Sequence, residues 1–317
     1  MKLATFVANG NKILGVQAAN GRLLDIRSVF PSAPRDMASL IEAGPEVLTM
    51  VQNKIAKAEG TYAPEDVSWL PPIDRPSKMA FLALNNRSLD AVKIRAPTDH
   101  PAFFLKPFTA LTGHGSAVRL RQTDGLTHPE PELGVVIGSK ISRATPSEAL
   151  DAIFGYSIIN DVTSVGMREE DSFSFRFFKP DAATGANEPA VGFTTYPGRY
   201  KASDTFAPMG PFIVTRDEVP NPADLTIRCW MDDRLIASDH TGNYTWSVGD
   251  ALSHISQTMT LLPGDVVSMG TAVGGDNDDP DAPDIPGVTR ANMLNFNGSI
   301  HIEIERLGRL SVKVAMQ

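Results

Sequence analysis

His128–Gly138 reads HPEPELGVVIG and joins two glutamates to a short apolar run that a glycine closes. If the run is a strand, Glu130 and Glu132 point to the same face, roughly 6–7 Å apart along the chain. Two carboxylates beside a buried apolar run repel each other, and their removal from water adds to the free energy needed to keep both of them ionised. A hard divalent cation is the simplest way to offset that cost, because Mg²⁺ and Ca²⁺ take carboxylate oxygens at about 2.0–2.6 Å. The alternative interpretation is a solvated edge strand with two exposed glutamates.

A short helix and a second apolar strand are predicted next. Thr145 to Glu148 has the form of a capping box, with Pro146 at the first helical position. The pattern predicts a helix over Glu148–Phe154 that ends at Gly155. The apolar run Tyr156–Val162 then predicts a strand.

Asp161 lies at the end of that second strand. A strand, a short helix and a strand bring it back beside the two glutamates. Three acidic oxygens around one point describe an octahedral cation site that keeps positions open for water. Such an arrangement is typical of a catalytic site rather than of a closed structural one.

Length, charge and cysteine content exclude several classes of protein. A chain of 317 residues can bury a large core, and one sizeable domain with one small domain is the natural division. The net charge of −8 argues against a nucleic-acid surface and gives no basic patch for a membrane. No apolar run approaches the ~18 residues of a membrane span, and the single cysteine, Cys229, suits a reducing compartment. We therefore expect a cytoplasmic protein without membrane or nucleic-acid partners.

Residues 1–72 are predicted to form a small β-rich domain, and residues 73–317 a catalytic domain. Short strands separated by Asn-Gly turn signals are predicted at Leu3–Val7, Lys12–Val16 and Arg22–Ile26. A helical stretch follows over Met37–Ile55, and two prolines at 71 and 72 close the segment.

The chain resembles the fumarylacetoacetate hydrolase superfamily through motifs that occur in the family's order. Besides the segment quoted above, these are Phe104-Leu105-Lys106-Pro107, Gly155-Tyr156, Asn160-Asp161-Val162, Lys201–Pro211, Leu262–Val267 and Gly270-Thr271. The resemblance covers most of residues 80 to 317. It implies a mixed α/β, β-rich fold whose rolled or barrel-like sheet holds the metal at one mouth. It also supports the small N-terminal β-rich domain, and we expect a homodimer.

The same resemblance implies an enzyme that depends on Mg²⁺ or Mn²⁺, with Ca²⁺ as a further candidate, and acts on a 2-oxo or 1,3-diketo acid. Glu130, Glu132 and Asp161 would hold the metal, which chelates the oxo-carboxylate and stabilises the developing enolate. The leading expectation is hydrolysis of a carbon–carbon bond in an acylpyruvate-like substrate. One alternative is decarboxylation, isomerisation or hydration of a 2-oxo acid through a metal enolate. The other is a metal-binding homologue without turnover.

Five further residues acquire roles by resemblance. Lys201 falls on the family's lysine position, where an ammonium offsets carboxylate charge and can bind an enolate oxygen. Thr271 can donate to a substrate carboxylate, and Gly270 lets the main chain approach a ligand closely. Lys106 and Thr241 are in register as substrate contacts.

The sequence departs from the family where its hydrolytic members carry a histidine and a glutamate that activate water. The histidine position reads Leu89 or Asp90, and the glutamate position reads Val92 or Lys93. Asp90 is therefore the candidate replacement base, with a solvated loop aspartate as the alternative. His128 lies two residues before a proposed ligand and is a candidate for supporting the metal site, although a lone histidine is often structural.

Residues 162–200 form a longer segment than the family core has, rich in aromatic and charged residues. The family's arginine, four residues after the metal aspartate, is replaced by Val165. Arg168 or Arg176 could supply that charge from the longer loop and contact substrate. The alternative is that the inserted loop packs at a subunit contact.

Overall fold

The structure is a computed structural model that describes residues 1–93, 99–274 and 291–317. Within these ranges it contains 20 β-strands and seven α-helices. The strands are β1 Lys2–Ala8, β2 Asn11–Gln17, β3 Leu23–Asp25, β4 Ser68–Trp69, β5 Met79–Ala83, β6 Ala102–Lys106, β7 Leu111–Thr112, β8 Ala117–Leu120, β9 Thr127–His128, β10 Pro131–Ile137, β11 Ile153–Asn160, β12 Thr163–Ser164, β13 Ser172–Pro180, β14 Asn187–Thr195, β15 Ala207–Thr215, β16 Thr226–Met231, β17 Arg234–His240, β18 Val266–Thr271, β19 Ser299–Ile304 and β20 Gly308–Met316. The helices are α1 Ile26–Val29, α2 Met37–Glu42, α3 Gly44–Ile55, α4 Pro146–Asp151, α5 Val165–Glu170, α6 Arg199–Ala202 and α7 Val248–Thr258.

The larger of two main sheets carries the site. Its strands run in the order β3-β2-β1-β15-β11-β10-β18-β5-β6, with β4 beside β1 and β7 beside β15. Most neighbours are antiparallel, but β18 with β5 and β15 with β7 are parallel, so the sheet is mixed. The N-terminal strands join this sheet because β1 pairs with β15. The domain boundary at residue 72 stays a prediction.

A second sheet packs against the first. Its strands run in the order β17-β16-β19-β20-β8. Strands β16 and β20 of this sheet contact β10 and β15 of the larger one, and the apolar side chains between them form the main core. The predicted mixed α/β, β-rich class is confirmed.

Both faces of strand β10 are buried. Leu133, Val135 and Ile137 lie in the core between the sheets, whereas Val136 lies in the core on the opposite face. Such a continuous apolar run is typical of a strand covered on both sides. Since side chains alternate along a strand, Glu132 shares the face of Val136.

The capping box before α4 is confirmed, but the predicted end of that helix is wrong. Thr145 and Glu148 exchange side-chain to main-chain hydrogen bonds of 3.3 and 2.8 Å. The helix ends at Asp151, and Gly155 lies inside β11 rather than after the helix. A Cβ atom at Gly155 would approach the carbonyl oxygen of Val214 to 2.3 Å, so close packing against β15 requires this glycine.

The N-terminal helical stretch is divided. The chain turns at Gly44, whose φ is 80°, so α2 and α3 replace one continuous helix. Among the described residues, no helix is both long enough and apolar enough to cross a bilayer.

The longer segment after Asp161 is a regular hairpin rather than a loop. It begins with α5 and continues as β13 and β14, nine residues each, which pair antiparallel from Ser172 and Thr195 to Pro180 and Asn187. In the described part of the chain these two strands pair only with each other.

Candidate metal centre

The three predicted acidic residues meet where β10 begins and β11 ends. These strands are antiparallel neighbours, with Pro131 opposite Asn160. The main-chain N–H of Asp161 donates to the carbonyl of Glu130 at 2.8 Å, which fixes the two strand ends together. One carboxylate oxygen each from Glu130, Glu132 and Asp161 lies within 4.8 Å of the others.

Each glutamate is held by further contacts that the sequence did not reveal. Glu132 accepts hydrogen bonds at Oε2 from the Ser268 hydroxyl at 2.5 Å and from the Gly270 N–H at 3.1 Å. Glu130 accepts one at Oε1 from the Thr163 hydroxyl at 2.7 Å. The residues that orient the carboxylates therefore come from β12 and β18, distant in sequence from the acidic pair.

Two buried lysines balance part of the negative charge. Lys201 Nζ lies 2.6 Å from Asp161 Oδ2 and 2.9 Å from Glu130 Oε2. Burial alone would lower the pKa of Lys201, but its ion pairs with Asp161 and Glu130 raise it above the usual range. Lys201 is therefore a cation that bridges two of the three carboxylates.

Lys106 holds Asp161 from behind. Its Nζ contacts Asp161 Oδ1 and donates to the carbonyl oxygens of Phe206 at 2.7 Å and Val162 at 3.3 Å. The side chain is completely buried, and burial lowers its pKa against the attraction of Asp161. This placement gives Lys106 the geometry of a residue that positions Asp161. Its predicted contact with substrate stays a prediction.

The carboxylates differ in their affinity for protons. Burial would raise the pKa of Glu130, but Lys201 and His128 hold it at about 2. Burial and the neighbouring charges of Asp161 and Glu130 raise the pKa of Glu132 well above its usual range. Glu132 is thus the carboxylate whose charge the surrounding residues compensate least.

The donor set fits a hard divalent cation. Glu132 Oε1 is buried and has no hydrogen-bond partner among the described residues. An oxygen in this position loses its water without replacement unless a ligand binds it. Glu130, Glu132 and Asp161 would hold Mg²⁺ or Mn²⁺ and leave positions for a substrate, since these ions prefer six oxygen ligands.

His128 lies beside this site. Its Nε2 is 3.7 Å from Glu130 Oε1, and burial lowers its pKa although Glu130 opposes the shift. The imidazole is consequently neutral near pH 7. The position agrees with the predicted supporting role, which stays a prediction.

Gly270 and Thr271 lie at the other edge of the site. Thr271 is opposite Glu132 in the β10–β18 ladder, and its hydroxyl donates to the carbonyl of Ala272 at 3.0 Å. Gly270 has a φ of 96°, and a Cβ there would lie 2.9 Å from the Cβ of Asn85. Glycine is thus required by this φ and by the packing against Asn85, while its main-chain N–H supplies the bond to Glu132.

Two buried asparagines beside the site, Asn85 and Asn86, were not predicted from the sequence. Asn85 accepts from the N–H of Trp246 at 2.7 Å, and Asn86 donates to Asp239 at 2.8 Å and to the carbonyl of Thr271 at 3.2 Å. They fix the segment after β5 against the end of β18. Paired asparagines directly after a buried strand were the signal available for them.

Asp90 is poorly placed to serve as a base. Its side chain is 62% exposed and lies 2.6 Å from Lys93 Nζ, whereas the neighbouring Leu89 is buried. A base must reach the proton that it removes, directly or through one water. At the family's histidine position, Leu89 is thus an apolar core residue, and Asp90 is an exposed partner of Lys93 in an ion pair.

Arg168 and Thr241 make no direct bond to the carboxylates among the described residues. Arg168 is exposed on α5, and the Thr241 hydroxyl is buried and accepts from the N–H of Leu225 at 3.0 Å. Within residues 1–93, 99–274 and 291–317, no hydrogen bond or ion pair joins either side chain to the three acidic residues. Their roles as substrate ligands stay predictions.

Removing divalent metal should destabilise the protein. We expect EDTA to lower the melting temperature and Mn²⁺ or Mg²⁺ to restore it, because a ligand at 100 times its Kd stabilises the folded state by about 2.7 kcal/mol. Differential scanning calorimetry at constant ionic strength measures the effect, with Na⁺ in place of the divalent ion as the control. Equal melting temperatures in EDTA and in millimolar Mn²⁺ would contradict a metal site here.

Comparison with known proteins identifies the family. The model for the fumarylacetoacetate (FAA) hydrolase C-terminal region matches residues 82–315. A mitochondrial oxaloacetate tautomerase from Bos taurus is 27% identical over 304 residues, which cover 95% of this chain and 87% of the relative. An oxaloacetate tautomerase from Bacillus subtilis (strain 168) is 26% identical over 324 residues, 97% of this chain and 94% of the relative.

Solved structures of two other proteins are similar to this chain over its whole length. The maleylpyruvate hydrolase from Sphingobium sp. SYK-6, crystallised with manganese(II) and pyruvate, is 25% identical with a TM-score of 0.73, and the alignment covers 100% of this chain and 99% of the other. A fumarylacetoacetate hydrolase from the psychrophile Exiguobacterium antarcticum gives a TM-score of 0.74 at 25% identity, over 100% of both chains. The family match, these alignments and the acidic cluster together show that the chain belongs to the fumarylacetoacetate hydrolase family.

Proposed function

We propose that the protein is a divalent-metal-dependent enzyme that acts on a small 2-oxo acid through its enolate. The reaction we propose is keto–enol tautomerisation of a 2-oxo dicarboxylic acid, with oxaloacetate as the first substrate to test. The observation that carries the proposal is the set of three carboxylates within 4.8 Å of one another, with Lys201 bridging two of them. Similarity to oxaloacetate tautomerases over nearly the whole chain supports it.

The charge of the site favours an anionic substrate. Three carboxylates and two lysine ammonium groups sum to one negative charge. A divalent cation would reverse the sign, and the remaining positive charge matches a carboxylate ligand. When bound, Mg²⁺ or Mn²⁺ supplies a Lewis acid for the oxygen of the 2-oxo group.

Lys201 is suited to stabilise the enolate. Its side chain is only 10% exposed, and the raised pKa of its ammonium keeps it charged at neutral pH. A fixed positive charge in a site that excludes water stabilises developing negative charge more strongly than it would in bulk solvent. Glu130 and Asp161 keep the ammonium in place by hydrogen bonds.

The surroundings of the family's base position support tautomerisation over hydrolysis. Hydrolysis needs a group that orients and deprotonates water, a contribution of about 10²–10⁴-fold. Leu89 is buried and apolar, and Asp90 is exposed and paired with Lys93. Enolisation also needs a group that carries the proton removed from C3, but it needs no activated water, and the charge that develops on oxygen would be met by the metal and Lys201.

Hydrolysis of an acylpyruvate is the second candidate. Similarity to the maleylpyruvate hydrolase over the whole chain favours it. In that reaction His128, 3.7 Å from Glu130, would be the first residue to test as a base in place of Asp90.

The experiment compares the two reactions on one preparation. With Mn²⁺ present, the decay of enol-oxaloacetate absorbance should accelerate over the buffer rate, and cleavage of an acylpyruvate should be slower by orders of magnitude. Fast cleavage with slow tautomerisation would replace the first candidate by the second. Mn²⁺ binding without either reaction would favour a metal-binding homologue that does not turn over.

Replacing Asp90 by asparagine should change tautomerase turnover by less than about twofold. The side chain faces water, and an exposed ion pair contributes only ~0–1 kcal/mol to stability. Stopped-flow measurement of enol decay tests this, with Asp99→Asn, another exposed aspartate at 85% exposure, as the matched control. A tenfold loss confined to Asp90→Asn would identify Asp90 as the base. A steep loss of acylpyruvate cleavage alone would assign it to hydrolysis.

A further inference from the structure

Asp239, near the end of β17, is a half-buried carboxylate that the reaction proposed above leaves without a role. Its Oδ2 accepts from the Asn86 side-chain amide at 2.8 Å and from the Val273 N–H at 2.7 Å. Its Oδ1 accepts from the Asn243 side-chain amide at 2.6 Å and from the His240 N–H at 2.7 Å. Hydrogen bonds to a charged acceptor are roughly twice as strong as those between neutral groups. Asp239 therefore joins the segment after β5, the end of β18 and the turn after β17 at one point.

Asn86 connects Asp239 to the segment at the family's base position. Asn86 is 1% exposed, and its amide nitrogen donates both to Asp239 and to the carbonyl of Thr271 at 3.2 Å. Its amide oxygen accepts from the Ser88 N–H at 2.9 Å and so caps the short 3₁₀ helix Arg87–Val92. Because a carboxylate can only accept, Asp239 fixes which end of the amide is the donor. The orientation of Asn86, and with it the start of the 3₁₀ helix, therefore depends on Asp239.

The chain that follows Thr271 is held by the same end of β17. The Val273 N–H donates to Asp239, and the Ser238 N–H donates to the carbonyl of Gly274 at 2.9 Å. The asparagine amide described above holds the carbonyl of Thr271 itself. Three bonds to groups outside the larger sheet thus fix the main chain at the end of β18.

This end of β18 forms one edge of the candidate metal centre. Thr271 lies directly opposite Glu132 in the β10–β18 ladder, so the two side chains share a face. The Gly270 N–H donates to Glu132 at 3.1 Å. Among the described residues, Asp239 makes no bond of its own to the three carboxylates or to Lys201. It holds the edge beside them and does not contact the residues that would bind the cation.

We propose that Asp239 is a positioning residue, which acts through Asn86 to hold Thr271 where it can receive the carboxylate of a 2-oxo acid. The proposal rests on the function proposed above, because it assigns that site its substrate edge. A group that binds the substrate equally well before and during the reaction affects KM and not kcat. The charge of the developing enolate would be met by the metal and Lys201, which Asp239 does not contact. Loss of Asp239 should therefore raise KM and leave kcat nearly unchanged.

Replacing Asp239 with alanine tests the proposal. The change removes both oxygens, so all four N–H donors lose their acceptor. With Mn²⁺ present, we expect KM for enol-oxaloacetate to rise at least about tenfold, because a hydrogen bond to a charged group contributes that much to an equilibrium. Turnover should change by less than about threefold, and calorimetric titration should give a Kd for Mn²⁺ within about twofold of the parent value.

Two further variants make the result specific. Asp239→Asn keeps one acceptor oxygen and should give an intermediate KM, and it replaces the alanine variant if that protein does not fold. Asp181→Ala is the matched control, since Asp181 accepts three hydrogen bonds of 2.8–3.1 Å in the turn between β13 and β14. It should leave both constants unchanged. A change that only reduces the amount of folded enzyme lowers the measured turnover and leaves KM as it was, so the two constants distinguish positioning from general loss of structure.

A double-mutant cycle with Asn86→Ala tests whether Asp239 acts through Asn86. The single change Asn86→Ala should also raise KM about tenfold, since it removes the amide that Asp239 orients. If the two residues form one unit, the KM of the double variant should be no more than about threefold above that of the weaker-binding single variant. Effects that multiply to about 100-fold would show that Asp239 does not act through Asn86.

Hydrogen exchange and oxalate binding separate failure of this proposal from failure of the proposed function, because neither needs turnover. In Asp239→Ala the amides of Ser88 and Val273 should exchange at least about tenfold faster than in the parent, since one loses its acceptor and the other the residue that orients its acceptor. Oxalate should bind the Mn²⁺-loaded variant about tenfold more weakly. An inactive parent whose variants respond in this way would refute the reaction and retain the role of Asp239.

Three results would overturn the proposal. These are a folded Asp239→Ala protein with the parent's KM and oxalate affinity, a fall in turnover without a change in KM, and exchange at Val273 that is the same in variant and parent. A loss of Mn²⁺ affinity equal to the loss of oxalate affinity would also contradict it, because Asp239 would then support the cation site and not the substrate edge.

Discussion

Replacing Glu132 with glutamine should raise the melting temperature of the metal-free protein and remove its response to Mn²⁺. Burial and the charges of Asp161 and Glu130 raise the pKa of Glu132, so its ionised form is unfavourable in the folded protein. Glutamine has the same shape, and its carbonyl can accept from Ser268 and Gly270 as Glu132 Oε2 does. Its amide would face the other two carboxylates as a donor. Neither lysine loses a partner, because the contacts of Lys201 and Lys106 are with Glu130 and Asp161.

The same change should lower turnover by more than the ~10–100-fold that loss of a residue behind a metal ligand costs. It removes a charged oxygen from the candidate cation site itself. The expected combination, a more stable metal-free protein with little activity, separates loss of function from loss of fold.

The stabilisation should depend on pH. In the unmodified protein the pKa of Glu132 is raised by folding. Protonated Glu132 therefore adds to the stability of the folded state at low pH. This stabilisation is lost as pH rises above about 4.5 towards the pKa of the folded state. Glutamine does not titrate, so the difference in stability between the metal-free variant and the metal-free parent should increase over that pH range and disappear below it.

Thermal melts in EDTA and in Mn²⁺ at several pH values measure both effects. Glu59→Gln, at an exposed position, changes the net charge equally and should leave both melts unchanged. A metal-free Glu132→Gln protein that is less stable than the parent, or one that keeps the full Mn²⁺ shift, would contradict the assignment.

The carboxylates could be predicted from sequence because their positions depend on local patterns. The spacing of Glu130 and Glu132 fixes a shared direction in a strand, and Asp161 returns beside them after one short helix. These contacts need only the pairing of two strands that are adjacent in the chain.

The groups around the carboxylates could not be predicted in the same way. Lys106 reaches Asp161 across the sheet, and Ser268 reaches Glu132 from β18, 136 residues away. No local pattern marks Ser268, since its role arises from the order of strands in the sheet.

Two local patterns were misinterpreted for physical reasons. Gly155 has the signature of a helix end, but here it allows β11 to approach Val214. The alternation of Phe173, Phe175 and Phe177 has the period of a strand, although the density of aromatic and charged residues suggested an irregular insertion.

Replacing Lys201 with methionine should destabilise the metal-free protein and tighten Mn²⁺ binding at the same time. Loss of one partner from a buried ion pair costs about 3–5 kcal/mol, and Lys201 is only 10% exposed. Glu130 and Asp161 would then lie close together without the ammonium between them. A divalent cation would then meet only the Lys106 ammonium beside Asp161, so we expect Mn²⁺ to bind at least about tenfold more tightly and to restore most of the lost stability. Turnover should still fall steeply, because the charge that stabilises the enolate is gone.

Lys106→Met is the matched control, since it also removes a buried lysine that pairs with Asp161. Here the carbonyls of Val162 and Phe206 lose their donor, and unsatisfied buried groups cost about 1–3 kcal/mol each. A cation bound to carboxylates cannot donate to those carbonyls, so Mn²⁺ should restore this variant only in part. Calorimetric titration and thermal melts of the two variants measure the difference. Equal rescue of both, or weaker Mn²⁺ binding by Lys201→Met than by the parent, would show that Lys201 does not lie where the cation competes with it.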